Sequence, residues 1–451
     1  MPQVSYQMEL PFEGRGEAPR AERSEETSTA GNGIEHPGAR GLLAEALGRR
    51  NLHTALKRVK QNKGSAGVDG MTVDELPDYL RGHWEELREE LISGTYRPQP
   101  VKRQEIPKSG GGTRRLGIPN AIDRFLQQGL LQVLQPRIDP SFSEHSHGFR
   151  PGRRAHDAVR KARRYIQEGR RWVVDVDLES FFDRVNHDVL MERLSRHIPD
   201  KPVLKLIRLY LEAGILVNGV RVDRHEGTPQ GGPLSPLLAN VLLDEVDKEL
   251  ERRGHCFVRY ADDCNVYVRS RRAGERVMTW LRHAFAKLRL RINESKSMVD
   301  RAHRRPFLGF SFWYGVGSEV KLRLAPKAKH AMKTRIRQIT RRSRGRSLGQ
   351  IAEHLRSYLL GWKSYFRLAE TPRVLLELDQ WIRHRLRAIQ LKHWKRGKTI
   401  YRELKARGLS HETARQVAAN SRRWWKNSGK KIHIALPNSL FDQLGVPRLA
   451  T

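Results

Sequence analysis

Apolar and polar positions change their period twice along the chain. Residues 1–40, including "EGRGEAPRAERSEETSTAGNGIEHPG", show no period and are rich in Gly, Pro, Ser, Thr and Glu. Such a composition buries too little apolar surface to order itself, and a disordered extension is expected there. Ordered sequence is predicted to begin near Leu42, with a helix over Leu52 to Val59. From there to about residue 320, short apolar or alternating runs ("RWVVDVDL", "HCFVRYADDCNVYVRS") are mixed with helical periods at Leu237 to Leu250 and Arg276 to Leu288. The alternation is too irregular for a doubly wound parallel sheet, and an α+β fold with helices packed on one face fits it better. After about Ala325 the period is helical throughout. Ser347 with Gln350 reads as a capping box. It opens a helix whose apolar face is Ile351, Leu355, Tyr358, Leu359, Trp362 and Phe366. Thr371-Pro372 starts another, with Val374, Leu375, Leu378, Trp381 and Ile382 inward.

Charge follows the same division. The 451 residues carry 85 Lys and Arg against 50 Asp and Glu, a net +35. Residues 321–451 alone hold 32 Lys and Arg against 7 Asp and Glu, so most of the excess lies on the helical segment. Solubility does not require this much charge. Phosphate explains it, because each neutralised phosphate of a nucleic acid releases counterions, with a merely solvated basic face as the other reading. The two cysteines, Cys256 and Cys264, exclude a disulfide framework and paired CxxC zinc sites, and fit a reducing, cytoplasmic compartment. No run approaches the roughly 20 apolar residues that cross a bilayer, so no membrane partner is expected. The N-terminus has neither a signal peptide's apolar core nor the acid-poor composition of a transit peptide.

The chemistry lies in carboxylates. Tyr260-Ala261-Asp262-Asp263 sits between two alternating runs, the pattern of a β-hairpin with an acidic tip. Asp also favours tight turns for structural reasons. In "VVDVDLESFFD", however, an apolar strand carries Asp175 and Asp177 on one face and runs into Phe181, Phe182 and Asp183. One carboxylate from a strand beside two from a hairpin makes a set of hard oxygen ligands suited to Mg²⁺. Two such ions about 4 Å apart could activate a primer hydroxyl and stabilise a leaving pyrophosphate. Asp175 and Asp183 read as structural.

"YADD" and "DLESFF" resemble the two catalytic motifs of reverse transcriptases. The resemblance implies that Asp177, Asp262 and Asp263 are the catalytic metal ligands for two Mg²⁺ ions. It also places Phe182 beneath the sugar of the incoming deoxynucleoside triphosphate, where it excludes a 2′-hydroxyl; an ordinary core Phe is the alternative. "EGTPQGGPLSPLLANVLLDEVD" resembles the family's PQG element and implies that Gln230 and Gly231 adjoin the nucleotide. "IPKSGGGTRRLGIPN" lacks the Walker A pattern. By analogy with the fingers of the family, its flanking Lys108, Arg114 and Arg115 would clamp the triphosphate. Lys296 in "INESKS" matches the motif after the catalytic hairpin, as a proton donor to pyrophosphate or simply a surface lysine. "RPFLGFSF" (Arg305 to Phe312) looks like the segment that closes the palm and grips the primer. "SFSEHSHGFRPGRRAHDAV" resembles a fingers element in which Gly148 to Gly152 would be structural and near the template.

The early "NKGSAGVDG" (Asn62 to Gly70) and the long spacers look like group II intron proteins rather than compact retroviral enzymes. The implied architecture is a disordered extension (1–40), a right-hand polymerase fingers and palm (41–320), an all-α thumb/maturase domain that binds intron RNA (321–425) and a tail (426–451). In the helical part Trp362, Tyr365, Trp381, Trp394, Trp424 and Trp425 are interleaved with basic residues, and Trp362 and Trp381 read as core. Arg341, Arg342, Arg344, Lys363, Arg385, Lys392, Lys395, Arg422 and Arg423 are the candidate RNA contacts. The implied partners are a group II intron RNA, a DNA target and primer, and deoxynucleoside triphosphates, in the nucleoid of a prokaryote. Some members of the family end in a zinc-supported HNH endonuclease; no such pattern follows here, so a pre-existing nick or a replication fork is the expected primer source. A maturase with a silent polymerase, and a reverse transcriptase recruited to host repair or defence, are the other readings.

Overall fold

The computed structural model describes residues 41–107, 113–217, 220–222, 226–228, 231–341, 345–429 and 431–450. The extension expected over 1–40, together with Lys108, Gln230, Arg342 and Arg344, lies outside them. The fold is α+β, and the chain divides into two units between Arg305 and Pro306.

The first unit runs through α1 (Leu42–Ala46), α2 (Arg49–Gln61), α3 (Leu76–Ser93), β1 (Val101–Pro107), β2 (Thr113–Ile118), α4 (Ala121–Ile138), α5 (Ala155–Gln167), β3 (Trp172–Val176), α6 (His187–Ser195) and α7 (Lys201–Glu212). It continues with β4 (Ile215–Val217), β5 (Val220–Val222), α8 (Ser235–Arg252), β6 (Cys256–Tyr260), β7 (Asp263–Val268), α9 (Arg271–Lys287) and β8 (Met298–Arg301). One sheet has the order β2-β1-β4-β5, and a second, β6-β7-β3-β8, is antiparallel throughout. In the second, one face of the strands (Val174, Val176, Cys264, Val266, Val268) packs with apolar residues of α8 and α9. The opposite face carries Asp175, Asp177, Asp263 and Asn265, as period two requires.

"NKGSAGVDG" is tied down by α4 and the residue before it. Asn120 Oδ1 accepts from the Val68 amide (2.8 Å), and Arg124 donates to the Ser65 carbonyl (2.8 Å). One turn away, Asp123 is 2% exposed and accepts from the Tyr96 hydroxyl at 2.6 Å.

The second unit opens with an antiparallel hairpin, β9 (Phe310–Tyr314) and β10 (Val320–Leu324). It continues through α10 (Pro326–Ile339), α11 (Leu348–Tyr365), α12 (Pro372–His393), α13 (Gly397–Ala406), α14 (His411–Ala419), α15 (Trp424–Ser428) and α16 (Asn438–Gln443). The division at 305/306 precedes the boundary expected near 320, and most of "RPFLGFSF" falls in the second unit. Phe310 stacks near Tyr365 and Phe366, and the Tyr365 hydroxyl donates to the Leu308 carbonyl at 3.1 Å. The capping box of Ser347 and Gln350 is present, with Ile351, Leu355, Tyr358, Leu359, Trp362 and Phe366 all buried. On α12, Leu378 and Ile382 are buried, whereas Trp381 is half-buried beneath Lys333, Arg337 and Arg385. The tail is docked: the Asp379 carboxylate accepts from the Leu449 and Ala450 amides, and the buried Arg383 donates to the Val446 and Pro447 carbonyls.

Burial pushes the Asp123 carboxyl up to about 7, against the lowering effect of the Tyr96 hydrogen bond. The folded protein therefore keeps a proton that the unfolded chain releases near the ordinary value of 3.8. This group's contribution to stability is greatest below about pH 4 and declines as pH rises to about 7. Asp123→Asn keeps an acceptor for Tyr96 and cannot ionise. Urea midpoints across that range should fall less steeply with pH in the variant than in the wild type.

Candidate active site

Tyr260 pairs with Asp263, which leaves Ala261 and Asp262 as a two-residue hairpin loop. Ala261 has φ +58°, the sense demanded at the first loop position of a type II′ turn and normally met by glycine. A non-glycine residue held there costs roughly 1–3 kcal/mol and persists only where its surroundings enforce it. Two contacts do so. Arg259 donates to the Ala261 carbonyl at 2.9 Å, and the Gly148 backbone comes so close that an added Cβ would strike the Ala261 amide.

Arg259 is 2% exposed and is held by both oxygens of Asp247 on α8 (2.9 Å each from Nε) and by Asn240 Oδ1 (2.8 Å). Asn240 in turn donates to the Gly148 carbonyl at 3.0 Å, while the His147 amide bonds the Arg259 carbonyl at 2.9 Å. "GFRPG" thus buttresses the hairpin. Arg150 is buried against Asp139 and the Ser143 carbonyl.

On the neighbouring strand, Val176 pairs with Cys264 and Asp175 with Asn265. The ladder ends there, one residue short of Asp177 on this strand and of Asp263 on β7. Beyond the ladder, the Asp177 carbonyl accepts from the Asn293 amide (2.8 Å), and the Asp177 amide donates to Ser297 Oγ (2.9 Å). That brings Lys296 Nζ to 3.2 and 3.3 Å from the two carboxylate oxygens of Asp177. Asp175 is paired with Arg305 (2.7 Å) and is structural, as read from the sequence. Burial pushes its carboxyl up, the Arg305 guanidinium pulls it down, and the Asp177 charge adds to the rise. The Asn265 amide, oriented to satisfy both neighbours, also donates to Asp175.

Phe181 is core, and Phe182 is half-buried beside it with an edge-to-face contact of 5.1 Å. The Phe182 carbonyl accepts from the Thr228 amide at 2.8 Å. This close run of backbone requires Gly227 (φ +89°), where a Cβ would stand 2.9 Å from the Phe182 and Asp183 carbonyl oxygens. Gly231 (φ +140°) faces the Gly117 carbonyl on β2. Arg114 and Arg115 lie on β2, with Arg115 exposed and 3.8 Å from Glu105 across the ladder.

Among the helical candidates, Arg341, Lys395, Arg422 and Arg423 are exposed. Three others are engaged within the fold. Lys363 donates to the Arg448 carbonyl (2.9 Å), Arg385 donates to Thr340 Oγ1 (2.7 Å), and Lys392 lies 5.4 Å over Trp424.

Residues 106–312 match the family described as reverse transcriptase (RNA-dependent DNA polymerase), and residues 329–408 match the group II intron, maturase-specific domain. The chain belongs to the group II intron reverse transcriptase/maturase family. It is 40% identical over 208 residues to Protein YkfC of Escherichia coli strain K12, covering 45% of this chain and 55% of that one. It is 37% identical over 197 residues to the group II intron-encoded protein LtrA of Lactococcus lactis subsp. cremoris, covering 44% and 33%. The chain thus spans about half or less of the length of these relatives. A solved partial Cas6-RT-Cas1–Cas2 complex aligns at 24% identity and TM-score 0.37 over 58% of this chain and 46% of that one, too weak a likeness to carry an argument.

Reverse transcriptase domains use divalent metal ions as a class. Among the described residues, no three acidic, His or Cys groups converge on one point. The donors still fit Mg²⁺, which takes one or two carboxylates and completes its shell with water and substrate phosphates. Asp177, just past the end of β3, and Asp263, at the start of β7, would be the oxygen donors, and Asp177 already pairs with the Lys296 ammonium. Ser297, the Arg259–Asp247–Asn240 cluster and the Asp175–Arg305 pair were missed from sequence. The available signal was an arginine inside an otherwise apolar strand, since a buried charge demands a partner.

Asp247→Ala leaves Arg259 buried and unpaired, and should cost about 3–5 kcal/mol in chemical denaturation. Gly148→Ala drives a Cβ into the hairpin backbone, and should both lower the midpoint and disturb the tip, seen as altered amide shifts at Ala261 and Asp262.

Proposed function

We propose that this chain is an RNA-directed DNA polymerase encoded by a group II intron, which binds its intron RNA to assist splicing and copies it into DNA during retrohoming. The observation that supports the reading is the β3–β7 register, which ends at Val176 and Cys264, one residue short of Asp177 and Asp263, beside a hairpin tip held in a strained turn. Two Mg²⁺ ions, when bound, would supply Lewis-acid activation of the primer 3′-hydroxyl and charge neutralisation at the pyrophosphate. Asp177, Asp262 and Asp263 are the oxygen donors for them. Lys296, beside Asp177, would be the proton donor to the leaving pyrophosphate. Phe182, half-buried at the edge of the core, would supply a flat apolar surface for the sugar, and Gly231, against the Gly117 carbonyl, lies in the chain segment that would meet the base. Lys108, Arg114, Arg115 and Gln230 complete the triphosphate and nucleotide contacts in this reading.

The exposed Arg341, Lys395, Arg422 and Arg423, with Arg342 and Arg344, would carry the intron RNA contacts. A DNA primer and deoxynucleoside triphosphates follow as partners, and a prokaryotic nucleoid as the place of work. No helix among the described residues is long and apolar enough to cross a membrane.

Primer extension on an RNA template with Mg²⁺ and deoxynucleotides tests the reading. Wild type should extend, and Asp262→Ala should fall to background while RNA binding persists. A folded, RNA-binding wild type that extends nothing would favour a splicing cofactor with a silent polymerase. Lys296→Gln removes a surface pair worth about 0–1 kcal/mol. Its urea midpoint should hardly move, whereas its single-turnover extension rate should fall by about 100-fold or more, as expected of a lost proton donor.

A further inference from the structure

The first unit contains a cavity of about 380 Å³ that the catalytic reading does not use. It lies at the far end of the β6–β7 hairpin, lined by Arg170, Arg253, Cys256, Arg269, Arg276 and Trp280 among others. From Cys256 to Tyr260 the strand rises about 13 Å, so the cavity is well removed from the acidic tip. None of its lining residues is acidic, although four are arginines.

Those arginines fall into two pairs. Arg170 is bound to Glu168 (2.6 Å) and Arg253 to Glu249 (2.6 Å), and Arg253 also lies 4.7 Å over the Trp280 ring. Arg269 and Arg276 are exposed and have no ion-pair partner among the described residues. A guanidinium fork without a carboxylate is the group best matched to a phosphate, which it meets through two parallel hydrogen bonds. The half-buried Trp280, with Arg253 stacked on it, forms a flat cationic and aromatic platform of the kind on which unpaired bases stack. The volume lies within the range of small-ligand sites.

We propose that this cavity binds one unpaired nucleotide of an RNA strand, its phosphate on Arg269 and Arg276 and its base against the Trp280–Arg253 platform. All of its lining residues belong to the first unit. The inference rests on the reading that this chain binds RNA.

The test uses the full chain and three probes: fluorescent single-stranded oligo(U), a duplex RNA of equal length, and AMP. The double variant Arg269→Gln/Arg276→Gln should bind oligo(U) about tenfold more weakly. Its plot of log K against log salt should be shallower by about one to two ions. Trp280→Leu, which keeps apolar volume and removes the stacking face, should weaken oligo(U) about fivefold and leave the salt slope unchanged. A charge-matched control, Arg81→Gln/Arg164→Gln, should change little, and thermal melts should show all variants folded. Oligo(U) affinity unaltered in the double variant overturns the proposal. So does an equal loss on duplex RNA, which means a generic basic patch, or a loss confined to AMP, which means a free-nucleotide site. A wild type that binds none of the RNAs overturns both this inference and the RNA-binding reading beneath it.

Discussion

Arg259 is a full positive charge inside the protein, and Asp247 is what makes it tolerable. A guanidinium does not deprotonate in a protein, so it must be met by a carboxylate and by acceptors for its remaining N–H groups. Asp247, Asn240 and the Ala261 carbonyl are those acceptors. The last of them is the consequential one. By bonding the carbonyl at the hairpin tip, a buried charge converts the packing of α8 against β6 into a fixed backbone angle at Ala261. The acidic loop can therefore hold a conformation that an isolated Tyr-Ala-Asp-Asp turn would not favour.

The second determinant is register, and it comes from a different source. The pairing of β3 with β7 is set by apolar residues on the helix-facing side, since a slip of one residue would turn Val174, Val176 and Val266 outward. Because the carboxylates sit on the opposite face of the same strands, burial of the valines decides which aspartates are neighbours. Asp175 and Asp177 then differ in fate. Asp175 lies within the ladder and is neutralised by Arg305, whereas Asp177 lies just past its end, where the chain turns toward Asn293 and Lys296. The carboxylate at the strand terminus is left to the more exposed Lys296, whereas Asp175 is held by the half-buried Arg305 guanidinium.

Elements whose signal is local were legible in the sequence. The acidic hairpin, the capping box at Ser347 and the apolar face of α11 each depend on residues within one or two turns of each other. What the sequence hid is long-range. The partner of Arg259 sits on the preceding helix, that of Asp175 lies at Arg305, and that of Asp123 is Tyr96, and no period links such pairs. The same holds for "RPFLGFSF", whose Phe310 finds its partners at Tyr365 and Phe366, far along the chain.

The same limit applies to charge. Counting 32 Lys and Arg after residue 320 treats every cation as available to a phosphate. In the folded unit Arg383 is buried against Asp379 and the tail, Arg387 bonds the Leu436 carbonyl and Asn438, and Arg385 bonds Thr340 while covering Trp381. These side chains hold helices and tail together, and an RNA could recruit them only by breaking those contacts. A cation that serves the core is recognised by its donors being satisfied within the protein; one that serves a polyanion keeps donors turned to solvent. By that criterion α12 is largely a scaffold, and a surface for nucleic acid is better sought at exposed positions such as Arg341, Lys395, Arg422 and Arg423 than along that helix.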